Sequence, residues 1–254
     1  MKLIRYIATV SGLLFSAGAC QAAITTLNSG LFGGSAPGAT VSQSITVGTG
    51  ADMLVVMTSS ELGGGTTPMT VTYGGVSMNL ATGNLTNSAI WYLDLTTSGI
   101  TGTNVVVDMS AYTTRNGFAA GWVTLEGNLG VGQSIALHSK NNSSASSPTV
   151  SLTTTVETFN VVNFNGNNTS GTITVGSPLT QIYQDTNIGS ARSAAAYEAA
   201  VAAGTSDYEW TLTTGSLPAD YRRIDAAAFT VVPEPSAALL GSLGLLALLR
   251  RRRA

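Results

Sequence analysis

Met69-Thr70-Val71-Thr72-Tyr73-Gly74-Gly75-Val76-Ser77-Met78-Asn79-Leu80 is the stretch that decides the fold of this chain. Apolar and polar residues alternate on both sides of a two-glycine break, the period of a strand with one buried face. Gly74-Gly75 supplies the positive φ of a tight turn, so the stretch predicts a β-hairpin. These glycines follow a strand but open no helix, which sets aside a phosphate-binding loop.

Similar runs rich in Val, Ile, Thr and aromatic residues recur between clusters of Gly, Asn and Ser. They cover residues 40–47, 52–58, 69–73, 76–80, 89–95, 103–109, 117–125, 149–154, 159–164, 172–175, 179–183, 208–213 and 225–232. Strand follows strand at short intervals, which predicts an all-β chain built as an antiparallel β-sandwich of jelly-roll or Ig-like type. Residues 191–203 read two ways. Their alanines and Glu198 favour helix by propensity, whereas Ala191, Ala195, Tyr197, Ala199 and Val201 alternate as a strand crowded against another sheet would; the strand reading is preferred. Residues 141–148 form a polar Ser/Asn loop of the kind that separates two halves of one large sandwich or divides two small domains.

Between residues 23 and 232 there are five bases (Arg115, Lys140, Arg192, Arg222, Arg223) against twelve acids, a net charge of about −7; the whole-chain value of −2 conceals this because the other six bases lie near the termini. No basic patch is available to neutralise phosphates, so nucleic acid is excluded as a partner. Solubility comes from Ser, Thr, Asn and Gly, which suit strands and turns.

Catalytic chemistry is poorly represented. His138 is the only histidine, which rules out a multi-histidine metal site or a histidine dyad, and no serine sits in a Gly-x-Ser-x-Gly elbow. Asp207 and Glu209 would share one face of a strand, but such acids are commonly solvated surface residues. Asp185-Thr186-Asn187 offers oxygen ligands in a loop, without a twelve-residue calcium loop around it. No cofactor, metal or catalytic residue is assigned, and the body reads as non-enzymatic. Among the aromatics, Trp91 and Trp122 lie in apolar strands and are expected in the core. Trp210, between Glu209 and Thr211, is the best candidate for an exposed ring that stacks on a sugar.

The two termini differ from the rest. Lys2 and Arg5 precede an apolar stretch and then small residues ending Gly18-Ala19-Cys20-Gln21-Ala22-Ala23, the pattern of a secretory signal peptide over residues 1–22. Cleavage after Ala22 places Cys20 and Ala22 at the inspected positions; cleavage after Ala23, or a lipoprotein box at Cys20, are the alternatives. After cleavage at Ala22 no cysteine is left, so burial and hydrogen bonding must hold the body together. At the other end Pro233-Glu234-Pro235 disfavours helix, residues 236–249 are apolar on every face, and Arg250, Arg251, Arg252 and Arg253 follow. At about 1.5 Å per residue this segment reaches roughly 21 Å, short for a span, yet four arginines snorkel to a headgroup layer and hold that end on the cytoplasmic side.

In the order and spacing of these three features, residues 232–254 resemble the PEP-CTERM sorting signal of exported bacterial proteins. The N-terminal signal points to passage through the Sec translocon and cutting by signal peptidase; the resemblance implies export to the cell envelope with transient anchoring in the inner membrane. It further implies recognition at Pro233-Glu234-Pro235 by an exosortase-type membrane transpeptidase and release to the cell surface or extracellular matrix. A plain tail anchor is the alternative reading. Residues 23–231 would then be a β-sandwich body associated with extracellular polysaccharide. Two other functions compete: a carbohydrate-binding module working through Trp210, and a secreted glycoside hydrolase working through its carboxylates.

Overall fold

In the computed structural model the described residues are 24–35, 37–64, 68–84, 87–127, 129–130, 139–140, 149–167, 172–188, 191–213 and 222–231. Every regular element among them is a strand. The first nine are β1 (Thr25–Ser35), β2 (Thr40–Ser44), β3 (Met53–Gly63), β4 (Thr70–Tyr73), β5 (Val76–Ser77), β6 (Asn79–Asn84), β7 (Ser88–Asp94), β8 (Asn104–Asp108) and β9 (Thr114–Glu126). The remainder are β10 (Leu129–Gly130), β11 (Ser139–Lys140), β12 (Thr149–Thr154), β13 (Thr158–Asn167), β14 (Thr172–Val175), β15 (Thr180–Ile188), β16 (Ala191–Val201), β17 (Gly204–Thr213) and β18 (Arg222–Val231). The hairpin forms as read: Gly74 and Gly75 have φ of 54° and 87°, and Tyr73 pairs with Val76.

All pairings are antiparallel. Strands β1 to β9 make two sheets, ordered β1-β9-β3-β7-β6 and β2-β8-β4-β5. Their facing sides enclose one core, built from residues such as Leu54, Val56, Val71, Tyr73, Trp91 and Trp122. Strands β10 to β18 make two more, ordered β10-β18-β13-β16-β15, with β11 also on β18, and β12-β17-β14. These enclose a second core containing Val150, Leu152, Val162, Phe164, Tyr208 and Trp210. A third core lies between the two larger sheets, where Met53, Val55, Met57, Ile90 and Val123 meet Phe159, Val161, Tyr183, Ala195 and Phe229. The molecule is therefore four β-layers deep, and its two middle sheets are covered on both faces.

This layering explains patterns that alternation alone misreads. A strand covered on one face alternates, and β12 in an outer layer does so. A strand covered on both faces has no polar side, and β3 is buried at every position from Met53 to Ser60. Residues 191–203 fall in the second class. Ala194, Ala195 and Ala196 are each 0 % exposed in β16, a strand and not a helix, because small side chains on both faces let the layers above and below close on it. Ala226-Ala227-Ala228 in β18 of the same sheet and Ala119-Ala120-Gly121 in β9 of the other middle sheet do the same.

The two halves repeat one strand order. Reading β10 and β11 for β1, β12 for β2, β13 for β3, β14 for β4, β15 for β6, β16 for β7, β17 for β8 and β18 for β9 converts the first pair of sheets, apart from the short β5, into the second. The correspondence extends to single residues: Val55 lies between Tyr92 and Val123, and Val161 lies between Tyr197 and Ala227. It extends to irregularities too. Ala81 is the extra residue opposite the Trp91–Ile90 step, and Ile182 is the extra residue opposite the corresponding Ala196–Ala195 step. Strands β2 and β12 even open alike, Thr40-Val41-Ser42 and Thr149-Val150-Ser151. The halves meet between Glu126 and Leu129, ahead of the 141–148 loop, which lies outside the described residues.

Candidate functional site

The residues assigned to export and sorting, Ala22, Pro233, Glu234, Pro235 and Arg250 to Arg253, lie outside the described residues, as do Cys20 and His138. Two expectations inside them are corrected. Trp210 is 1 % exposed and packs in the second core, its ring centroid 6.1 Å from that of Phe164, so it cannot stack on a sugar. The cause is the alternation of β17: Asp207 and Glu209 point to solvent, which turns Tyr208 and Trp210 inward. Asp185-Thr186-Asn187 belongs not to a loop but to β15, where Asp185 pairs with Ser193 and Ile188 with Ala191. Trp91 and Trp122 are buried as expected, and Asp207 and Glu209 share one exposed face.

Both outermost faces of the layer stack carry hydroxyls and carboxylates. On one, Thr40, Asp108 and Thr70 form a row across β2, β8 and β4. On the other, Thr149 pairs with Glu209, Ser151 with Asp207, and Thr153 with Thr205. Ser151 donates to Asp207, and the Thr153 and Thr205 hydroxyls are 2.9 Å apart.

Two polar clusters lie inside the fold. The first crosses the boundary between the halves. Asn163, 0 % exposed, donates from Nδ2 to the Thr58 carbonyl at 2.9 Å and to Ser88 Oγ at 3.1 Å; its Oδ1 accepts from Ser59 Oγ at 3.4 Å and from the Tyr183 hydroxyl at 3.3 Å. Asn165 donates to the carbonyls of Ser60 at 3.0 Å and Asn87 at 2.6 Å, and Ser88 Oγ donates to Asp225 Oδ2. Burial lowers the pKa of the Arg223 guanidinium, and the charge of Asp225 acts in the opposite sense. Middle sheets packed only by Ala and Val could slide past one another. Directional bonds from β13 to β3 and β7 select one alignment.

The second cluster lies at one end of the second core. Asn160 Nδ2 donates to the Tyr208 hydroxyl oxygen at 2.6 Å, and Tyr208 donates onward to Glu198 Oε2 at 2.9 Å. Burial, before any other cause, pushes the Tyr208 phenol up to about 12, with the Glu198 charge adding to it. An unfolded tyrosine ionises near 10, so in the interval between 10 and 12 the folded state keeps a proton that the unfolded state has lost. Stability from this group is complete below pH 10 and falls as the pH rises towards 12. Unfolding midpoints in denaturant measured from pH 9 to 12 are expected to drop more steeply in the native protein than in Tyr208→Phe; equal slopes would refute the assignment.

A signal for both clusters was present in the sequence. Phe159-Asn160-Val161-Val162-Asn163-Phe164-Asn165 places three asparagines in one apolar strand, and asparagine is depleted from strands unless its amide is used. Among the described residues no group of three or more His, Cys, Asp or Glu side chains is placed to hold a metal, and no helix is long and apolar enough to cross a membrane. Comparison with known protein families, curated proteins and solved structures finds nothing that matches.

Proposed function

We propose that the chain is an exported, non-enzymatic protein of the cell surface or extracellular matrix. Its N-terminal signal sends it through the Sec translocon to signal peptidase, and an exosortase-type transpeptidase sorts it by its C-terminal signal. The observation that carries this reading is the succession Pro233-Glu234-Pro235, apolar segment 236–249 and Arg250 to Arg253 at one end, with Lys2, Arg5 and an apolar stretch before Ala22 at the other. The segment 236–249 acts as a transient inner-membrane stop, and the arginines keep its end cytoplasmic.

In this reading the body is a tandem of two jelly-roll-type sandwiches. Successive strands β1, β2, β3 and β4 alternate between the two sheets, as do β7, β8 and β9, which suits a jelly roll better than an Ig-like order with its early hairpin. The two hydroxyl- and carboxylate-bearing outer faces suit association with hydrated extracellular polysaccharide, and a buried Trp210 removes the basis for a stacking carbohydrate-binding module.

Replacing Pro233 and Pro235 with alanine is expected to abolish processing. The test is intact mass of the protein recovered from membrane and surface fractions. Native protein should appear at the surface lacking both terminal signals, and the variant should remain in the membrane fraction with its C-terminal segment attached. Unchanged processing of the variant would sink the sorting reading.

A further inference from the structure

The repeated strand order lets the two interiors be compared position by position, and they differ at one end. In the first half Leu54 pairs with Leu93 on one side and Thr124 on the other; in the second half the same places are held by Asn160, Glu198 and Ala228. Leu54 and Leu93 fill their core completely, both almost fully buried. Where the first half has two leucines, the second has an amide and a carboxylate, closed over by the Tyr208 phenol from the facing sheet.

The backbone differs at the same point. The β3–β7 ladder runs unbroken through Leu54 and Leu93, whereas the β13–β16 ladder shifts register between Thr158 and Asn160. Ala199 and Ala200 bulge out next to Glu198, and Ala200 has φ 54°, a left-handed conformation that costs a non-glycine residue. Glu198 is half-buried and the alanines after it are exposed, so this end of the core communicates with solvent.

The hydrogen bonds in the cluster run one way, from Asn160 to Tyr208 to Glu198, and leave oxygen atoms over. Asn160 Oδ1 and Thr158 Oγ1, two residues apart on one face of β13, have no partner among the described residues. The same holds for Thr154 Oγ1, at the start of the turn that leads into Thr158. All three residues are more than nine-tenths buried. Buried oxygens of this kind are nearly always paired, and three at one end of one core call for an occupant. That occupant must be small, since Asn160 is wholly enclosed, and it must present positive charge or donors to a set of oxygens. Arginine does not supply this. Arg192 and Arg223 pair across from Gly166 and Asn165, at the opposite end of β13.

We propose that this end of the second core is a binding site for one small hard cation, held by the Glu198 carboxylate, Asn160 Oδ1 and Thr158 Oγ1, with sodium as the matching charge. One carboxylate is neutralised by one monovalent ion. Calcium sites of useful affinity draw on more carboxylates, and magnesium holds its waters too firmly to exchange them for oxygens as buried as Asn160 Oδ1 and Thr158 Oγ1. The inference is independent of export and sorting.

The test is thermal unfolding of the full-length protein in sodium chloride and in choline chloride at equal ionic strength. Ligand that binds only the folded state raises the midpoint, and a rise of about 3 °C in sodium over choline is expected. Glu198→Gln should erase the difference, and Thr158→Val, a smaller change, should reduce it with the fold intact. A thallium(I) soak of crystals should place anomalous density between Asn160 and Glu198. Identical midpoints in sodium and choline, a difference that survives in both variants, or ordered water alone at that position would overturn the proposal; stabilisation by calcium but not by sodium would overturn the assignment of a monovalent ion.

Discussion

Gly121→Val is expected to destabilise the protein by about 3 kcal/mol, with a fall in melting temperature of roughly 6–12 °C. Gly121 lies in the middle of β9 in a sheet covered on both faces. A Cβ built there would overlap Cδ1 and Cε1 of Tyr183, which reaches across from β15, and would come within 3.3 Å of Met57 Cε. Tyr183 cannot simply rotate away. Its ring is enclosed in the third core and its hydroxyl is bonded to Asn163 Oδ1, so moving it also breaks the polar cluster between the halves. A double-mutant cycle separates the two effects. In a Tyr183→Ala background the overlap with the ring is gone and only the closer approach to Met57 Cε is left, so the cost of the valine should fall by more than 1 kcal/mol. A Gly121→Val protein that melts within about 2 °C of the native one would mean that the two middle sheets are not packed as described.

Asn163→Leu is expected to cost a comparable amount, about 2–4 kcal/mol. The two side chains are similar in volume, so the loss comes from polarity and not from a cavity. The substitution strips the Thr58 carbonyl and the Ser88, Ser59 and Tyr183 hydroxyls of a partner at a wholly buried position. Asn163→Asp separates shape from donor capacity. It keeps the acceptor for Ser59 and Tyr183, removes the donor to Thr58 and Ser88, and brings a second carboxylate beside the Ser88–Asp225 bond. It should therefore be at least as damaging as leucine at neutral pH and should recover on acidification. Urea titrations at pH 7 and pH 5 supply the comparison. A leucine variant as stable as the native protein would show that the bonds across the boundary are replaceable by packing alone.

Much of the local structure was legible. Thirteen runs of alternating or β-branched residues correspond to strands of the structure, and the Gly74-Gly75 turn follows from the positive φ that only glycine adopts without strain. Strand β1 has no such signature, because Thr25–Ser35 contains three glycines and little apolar pattern. What makes it a strand is its partner β9, whose Trp122 indole lies against Gly30 so closely that no side chain would fit there. The inward direction of Trp210 is implicit in the alternation of its own strand. Once Asp207 and Glu209 are assigned to one face of an extended strand, the residue between Glu209 and Thr211 must point the other way.

By itself, the sequence determined that the body is all-β, antiparallel, acidic and independent of disulfides, because strand periodicity, turn glycines and charge are properties of neighbouring residues. It also carried the terminal signals on which the proposed export and sorting rest. Only the tertiary structure decided that the body is two copies of one strand order set back to back. Equivalent residues drift in spacing, from Thr40 and Thr149 to Ala81 and Ile182, so the repeat is visible in pairing and not in a fixed period. Burial on both faces likewise depends on which sheet lies above a strand. That is why Ala194 to Ala196 read both as helix and as strand in the sequence, and why Asn160, on a strand 48 residues before Tyr208, joins Glu198 and Tyr208 only when two sheets close over them.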